Sequence, residues 1–163
     1  MKTRILPFFV ALPVIFLSNN LAAQEYDFSV GSGYPFFFNA EASMPVQEHK
    51  GRAWLSYRAS LDHGAAVGYE YALDHQNQHA VGVIGGALGM KMKDCHGDDN
   101  TFGCALTAVF SDSAINGLGV TYSFSPYGLN NDGFKLRLEA GRGKISNRDG
   151  YYNGANLVLS YQF

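Results

Sequence analysis

The chain has 163 residues and a formal net charge of −2, with 16% charged and 14% aromatic side chains and 19 glycines. That length suits one ordinary domain, and without a basic stripe it offers nucleic acid no obvious footing. Few charges with many aromatics suit a wall facing lipid. Beyond the N-terminal segment no apolar run reaches the roughly 18 residues of a membrane helix, so a spanning form would have to be built of strands.

The first residues read as a targeting signal. Lys2 and Arg4 form a positive start, Ile5 to Leu17 an apolar stretch, and Leu21-Ala22-Ala23 a small-residue cleavage site before Gln24. Leu21 is a less usual residue at its position, which leaves a cut one residue earlier open. No lipoprotein cysteine stands at the junction. Removal of residues 1–23 leaves 24–163 as a single domain, two charges more acidic.

Eight alternating segments follow. The first strand is expected over Tyr26–Gly33, with Tyr26, Phe28 and Val30 on one face and Asp27, Ser29 and Gly31 on the other. After a turn at Gly33-Tyr34-Pro35, the second spans Phe36–Val46. It points Phe36, Phe38, Ala40, Ala42 and Met44 outward and Phe37, Asn39, Glu41 and Ser43 inward. Gln47–Gly51 turns the chain into the third strand, Arg52–Leu61, with Trp54, Ser56, Arg58 and Ser60 inside. Asp62-His63-Gly64 is a short turn into the fourth, Ala65–Leu73, where Glu70 faces inward. A turn centred near His63 would set Arg58 opposite Gly68 and diagonal to Glu70.

Asp74–Gln78 turns again, and the fifth strand runs from His79 toward Lys93 with its phase open, because Gly85-Gly86 could hold a bulge. A long connection from about Asp94 to Ala114 contains both cysteines. The sixth strand, Ile115–Ser125, carries Leu118, Val120, Tyr122 and Phe124 outside. The turn Pro126–Asp132 leads to the seventh, Gly133–Ile145, with Phe134, Leu136, Leu138 and Ala140 outside and Lys135, Arg137 and Glu139 inside. Ser146–Tyr151 links it to the last, Gly154–Phe163, whose outward row is Ala155, Leu157, Leu159, Tyr161 and Phe163. Eight strands return both termini to one side, as single-chain barrels require. Ala105–Phe110 is itself strand-like and would make nine; it is read as part of a hairpin, made with the end of the fifth strand, that projects beyond the membrane.

A signal segment, eight alternating strands, one long loop and a terminal Phe resemble the small OmpA/OmpX-type outer-membrane barrels, across the whole mature chain and at the level of architecture. The resemblance implies an all-β, eight-stranded antiparallel transmembrane barrel in the outer membrane of a Gram-negative bacterium. It implies that the row Leu157, Leu159, Tyr161 and Phe163 is read by the barrel-assembly machinery, with outer-membrane lipid and lipopolysaccharide as neighbours.

Several constellations could carry function. Glu41, Arg58, Glu70, Lys135, Arg137 and Glu139 meet inside a barrel just wide enough to be filled by side chains, as an ion network that plugs the lumen or as a narrow ion path. Cys95 and Cys104, two cysteines in an exported polar loop, suit a disulfide of roughly 2–3 kcal/mol. The alternative is a metal site with His96, Asp98 and Asp99, whose spacing fits zinc poorly. Of five histidines, His49, His75 and His79 fall at the terminus-bearing end. His63 and His96, with Ser111 or Ser113 and Asp112, could serve a lipid A-modifying hydrolase or acyltransferase at the other rim. Arg142 and Lys144 continue the outward row of the seventh strand, either as contacts to lipid A phosphates or as solvated groups. The leading expectation is a non-enzymatic monomer without cofactor, structural or surface-interacting, whose disulfide-closed loop meets an extracellular protein.

Overall fold

A computed structural model of the chain describes residues 26–60, 62–90, 113–146 and 149–163. Eight antiparallel strands close into a barrel in chain order: β1 Asp27–Tyr34, β2 Phe38–Val46, β3 Gly51–Ala59, β4 His63–Ala72, β5 His79–Met90, β6 Ala114–Phe124, β7 Gly133–Ile145 and β8 Tyr152–Gln162. β8 closes on β1 from Ser29–Gln162 to Tyr34–Leu157. Beyond the last residue of β8, Phe163 and Phe28 exchange both backbone N–H···O bonds, at 2.9 and 3.1 Å. Closure removes the open edges that would otherwise template pairing with other chains.

Period-two alternation decides which way each side chain points. Leu55, Tyr57, Val67, Val83, Val120 and Leu138 stand exposed on the outer wall. Ser29, Asn39, Glu41, Arg58, Glu70 and Ser123 are buried in the lumen. Aromatic and β-branched residues favour such a surface, and cross-strand partners meet there. Phe134 and Tyr161 face each other between β7 and β8, ring edge to ring face, 5.2 Å apart.

The termini share one end with the β2–β3, β4–β5 and β6–β7 turns, and those three turns are hydrogen-bonded into a lid. Leu129 N–H donates to the Asn77 carbonyl at 2.7 Å, Gln78 Nε2 to Pro126 O at 2.7 Å and Asn130 Nδ2 to His49 O at 2.7 Å. Beneath the lid, Leu129 is buried against Ala72 and Ala80. Asp74 organises the β4–β5 turn by accepting backbone N–H bonds from Gln76, Gln78 and His79. Those bonds, led by that of His79, hold its carboxyl below the usual carboxylate range.

The opposite end carries a second apolar stopper made of Phe36, Ala87, Met90 and Ala114. Phe36 was expected outward and Phe37 inward. Instead β2 begins only at Phe38, so Pro35–Phe37 lie outside the strand and are freed from its alternation; Phe36 turns inside and Phe37 is exposed. β5 carries its bulge later than Gly85-Gly86. The register against β6 shifts between Ala87 and Gly89, leaving Leu88 as the extra residue. Gly86 adopts φ of +118° just before it, a conformation other residues rarely tolerate. The bulge sends Leu88 into the lumen, fully buried.

β3 and β4 also pair in a different register from the one expected. Their turn is tighter, so Arg58 faces Gly64 and it is Arg52 that faces Glu70. A turn centre two residues earlier in the chain moves every partner by four. β4 accordingly starts at His63 rather than Ala65. The expected end of the fifth strand at Lys93 and the hairpin segment Ala105–Phe110 lie outside the described residues.

Candidate functional site: a charged, filled lumen

At mid-barrel, β2, β3 and β7 aim charged side chains at one another across the lumen that the eight strands enclose, where all of them are buried. Glu41 on β2 is the hub. Its Oε1 accepts from Arg52 Nη2 at 2.9 Å and Lys135 Nζ at 3.0 Å, and its Oε2 accepts from Arg137 Nη2 at 2.6 Å. Glu139 on β7 forms the second hub. Arg58 reaches it with two parallel bonds, Nη1 to Oε2 at 2.5 Å and Nη2 to Oε1 at 2.7 Å. Arg137 Nε adds a bond at 2.9 Å and Asn156 Nδ2 one at 3.0 Å. Fork-to-carboxylate pairing of this kind fixes geometry as well as charge.

Arg58 is satisfied beyond its carboxylate. Nε donates to Ser56 Oγ at 3.1 Å and Nη1 to the Ala87 carbonyl at 2.8 Å. That carbonyl lies at the β5 bulge, so the irregularity in β5 also receives a charged donor from β3. Glu70 accepts from Ser123 Oγ at 2.6 Å, which ties β4 to β6. With Ser43 Oγ donating to the Asp27 carbonyl of β1 at 3.5 Å, side-chain bonds link all eight strands. Such cross-bracing resists shear of the barrel in a way the backbone ladders alone do not.

The six charges expected inside are all buried there, but their pairing differs from the diagonal expected between Arg58 and Glu70. Arg58 bonds Glu139 on the far wall, and Glu70 bonds Ser123 and faces Arg52. Two further members escaped the sequence reading. Arg52 shares the inward phase of Trp54, Ser56 and Arg58 and is fully buried; its place at the strand start hid that phase. Asp27 pairs in register with Ser43, whose Oγ accepts from Arg52 Nη2 at 2.7 Å, so four bases stand with four acids rather than three with three. Trp54 supplies the platform: Arg137 Cζ lies 4.0 Å and Arg58 Cζ 5.8 Å from its ring. The indole lies against Gly68 of β4, where an added Cβ would stand 2.3 Å from Trp54 Cζ2. Only glycine leaves that room.

Arg142 and Lys144 project outward from β7 at the end away from the termini and are exposed. Both lean over Tyr151, the Arg142 Cζ at 5.4 Å and the Lys144 Nζ at 5.0 Å from its ring centre. His63 lies at that same end with its ring 6.4 Å from that of Tyr57. Ser113 precedes β6, whereas His96, Ser111 and Asp112 lie outside the described residues. His49, His75 and His79 fall at the terminus end, where His79 Nδ1 and Tyr122 Oη share a hydrogen bond of 2.8 Å. Cys95 and Cys104, with Asp98 and Asp99, also lie outside the described residues. Leu157, Leu159, Tyr161 and Phe163 form an exposed row on the outer wall.

Comparison with family models, with curated proteins and with solved structures finds no match to this chain.

Proposed function

We propose that this chain is an integral barrel of the outer membrane of a Gram-negative bacterium, exported by residues 1–23 and closed inside by its own side chains. Its role is structural or surface-interacting, exercised through the long β5–β6 connection that a Cys95–Cys104 disulfide closes. The observation that carries this reading is the inversion of the wall. The Asp, Glu, Lys and Arg of the described strands face the lumen, apart from Arg142 and Lys144, while large apolar side chains cover the outside. A soluble monomer rarely exposes more than a few hundred Å² of contiguous apolar surface. An apolar groove of about 480 Å³ over Ala40 and Ala42, flanked by Val30, Leu55 and Tyr57, suits hydrocarbon chains. The aromatics Phe134, Tyr161 and Phe163 at the terminus end match an interfacial girdle.

Fractionation of cells expressing the full chain tests the placement. Recovery in the outer-membrane fraction, with a mobility shift between heated and unheated gel samples, is expected; recovery as soluble periplasmic protein defeats the reading. Unchanged lipid A mass spectra with and without the protein are expected of a binder, and a new lipid A species would identify an enzyme instead. The ion ties of Glu41 and Glu139 support a plug, so planar bilayers should show no discrete conductance steps.

A further inference from the structure

We propose that Arg142, Lys144 and Tyr151 form a docking site for the phosphate monoester of a membrane lipid headgroup. The inference rests on the outer-membrane reading above and names a partner for its outer rim. Arg142 and Lys144 are the only Asp, Glu, Lys or Arg on the outward face of the described strands. They are two positions apart on β7, so their side chains leave the same face. Neither has a carboxylate partner among the described residues. Instead both cations are drawn over one exposed ring, that of Tyr151, which holds two like charges near each other despite their repulsion. A pair of cations held this way suits a dianionic phosphate, which accepts from both at once.

Height along the barrel identifies the source of that phosphate. Phe134 and Tyr161 mark the aromatic level near the termini. From Phe134 to Arg142 is eight positions along β7, a rise of roughly 20 Å at about 3.3 Å per residue and a tilt near 40°. The apolar band of such barrels is about 25 Å tall, so the cations stand where headgroups begin. Beneath them the wall remains apolar. Leu118 is cross-strand partner to Arg142 and 76% exposed, and the small pair Ala140 and Ala155 lies below, with Val120 beside it. An acyl chain lying over the two alanines would bring its phosphate to the Tyr151 ring. Free phosphate would gain the charges but none of the apolar contact.

The test uses the mature chain in phosphatidylcholine nanodiscs doped with bisphosphorylated lipid A, with retained lipid counted by native mass spectrometry. Wild type should retain this lipid in preference to its dephosphorylated form. R142Q/K144Q and R142E/K144E should weaken retention about tenfold, as for loss of charge-assisted contacts at an exposed surface. Tyr151→Phe should keep retention and Tyr151→Ala lower it. The heat-dependent gel shift verifies that each variant is a barrel, which is expected because both cations point away from the lumen. Equal retention of phosphorylated and dephosphorylated lipid overturns the site, as does unchanged retention in R142Q/K144Q. Displacement by millimolar inorganic phosphate as effective as by lipid overturns the lipid assignment. Failure of wild type to enter the nanodisc overturns the membrane reading itself, whereas insertion without phosphate dependence overturns the docking site alone.

Discussion

Removing Arg58 and Glu139 singly and together tests the lumen architecture most directly. The pair shares two parallel bonds at 2.5 and 2.7 Å with no solvent exposure on either side chain. Breaking a buried pair from one side typically costs about 3–5 kcal/mol, because the remaining charge is left without its counterion. Arg58→Ala should fall near the lower end, about 3 kcal/mol, since Glu139 keeps Arg137 and Asn156. Glu139→Ala should approach about 5 kcal/mol. It strands Arg58 on Ser56 and one carbonyl, and takes from Arg137 one of its two carboxylates. The double variant has no orphan from the pair, so it should lose about 2–3 kcal/mol less than the sum. Arg58 and Glu70 make no direct bond, and their losses should add within roughly 0.5 kcal/mol. Urea titration of the barrel refolded into lipid vesicles measures all of these, read by the gel shift and by the fluorescence of Trp54, the single tryptophan. Additive losses for Arg58 with Glu139, or stronger coupling of Arg58 to Glu70, would refute the cross-lumen pairing and with it the β3–β4 register.

Deleting Phe163 removes both backbone bonds to Phe28 and an exposed terminal ring; folded barrel in the outer membrane should drop and unassembled chain collect in the periplasm, and normal assembly would contradict the role given to the closing strand. Cys95 and Cys104 should resist thiol labelling on whole cells until a reductant is added, and Cys→Ser at both should leave the barrel intact. Asp74 has its carboxyl held below its usual range by backbone donors, so its contribution is present above the unfolded value near 3.8 and is lost as pH falls through the folded value. Asp74→Ala should therefore speed hydrogen exchange of the Gln78 and His79 amides at neutral pH, with the difference from wild type shrinking in strong acid.

Strand number, order and facing were legible because they depend on alternation, which the chain keeps in β3, β4, β6, β7 and β8. Expectation failed where local geometry interrupts the period. Phe36 and Phe37 exchanged sides because β2 starts at Phe38, and a run of three phenylalanines contains no mark of where a strand begins. The Arg58–Glu70 diagonal failed because register depends on the turn, and Asp62-His63-Gly64 looks like the turn centre while the chain reverses earlier. Arg52 could have been found: its even number in β3 places it with Trp54 and Arg58. Leu129 could not, since it stands in a Pro-, Gly- and Asn-rich turn and is buried only because that turn folds back under Ala72 and Ala80. The Trp54–Arg137 stack likewise joins residues on β3 and β7, and no pattern within either strand announces it.

The lumen combines two kinds of closure that serve different ends. Phe36 with Met90 at one end, and Leu129 with Ala72 at the other, are apolar stoppers. They leave the charges between them little contact with bulk water, which raises the energetic stake of every ion tie. A plug of hydrophobic side chains alone would be as dense, but it would not specify one register. Shifting β3 by a single residue would turn Arg52, Trp54, Ser56 and Arg58 toward the outside and bring Leu55 and Tyr57 in. In a lipid-facing barrel that slip would place two guanidinium groups against hydrocarbon and take one arginine each from Glu41 and Glu139. The charges therefore exclude the slipped states more strongly than they stabilise the correct one. Holding one register is thus reason enough for a barrel to keep eight ionisable groups inside.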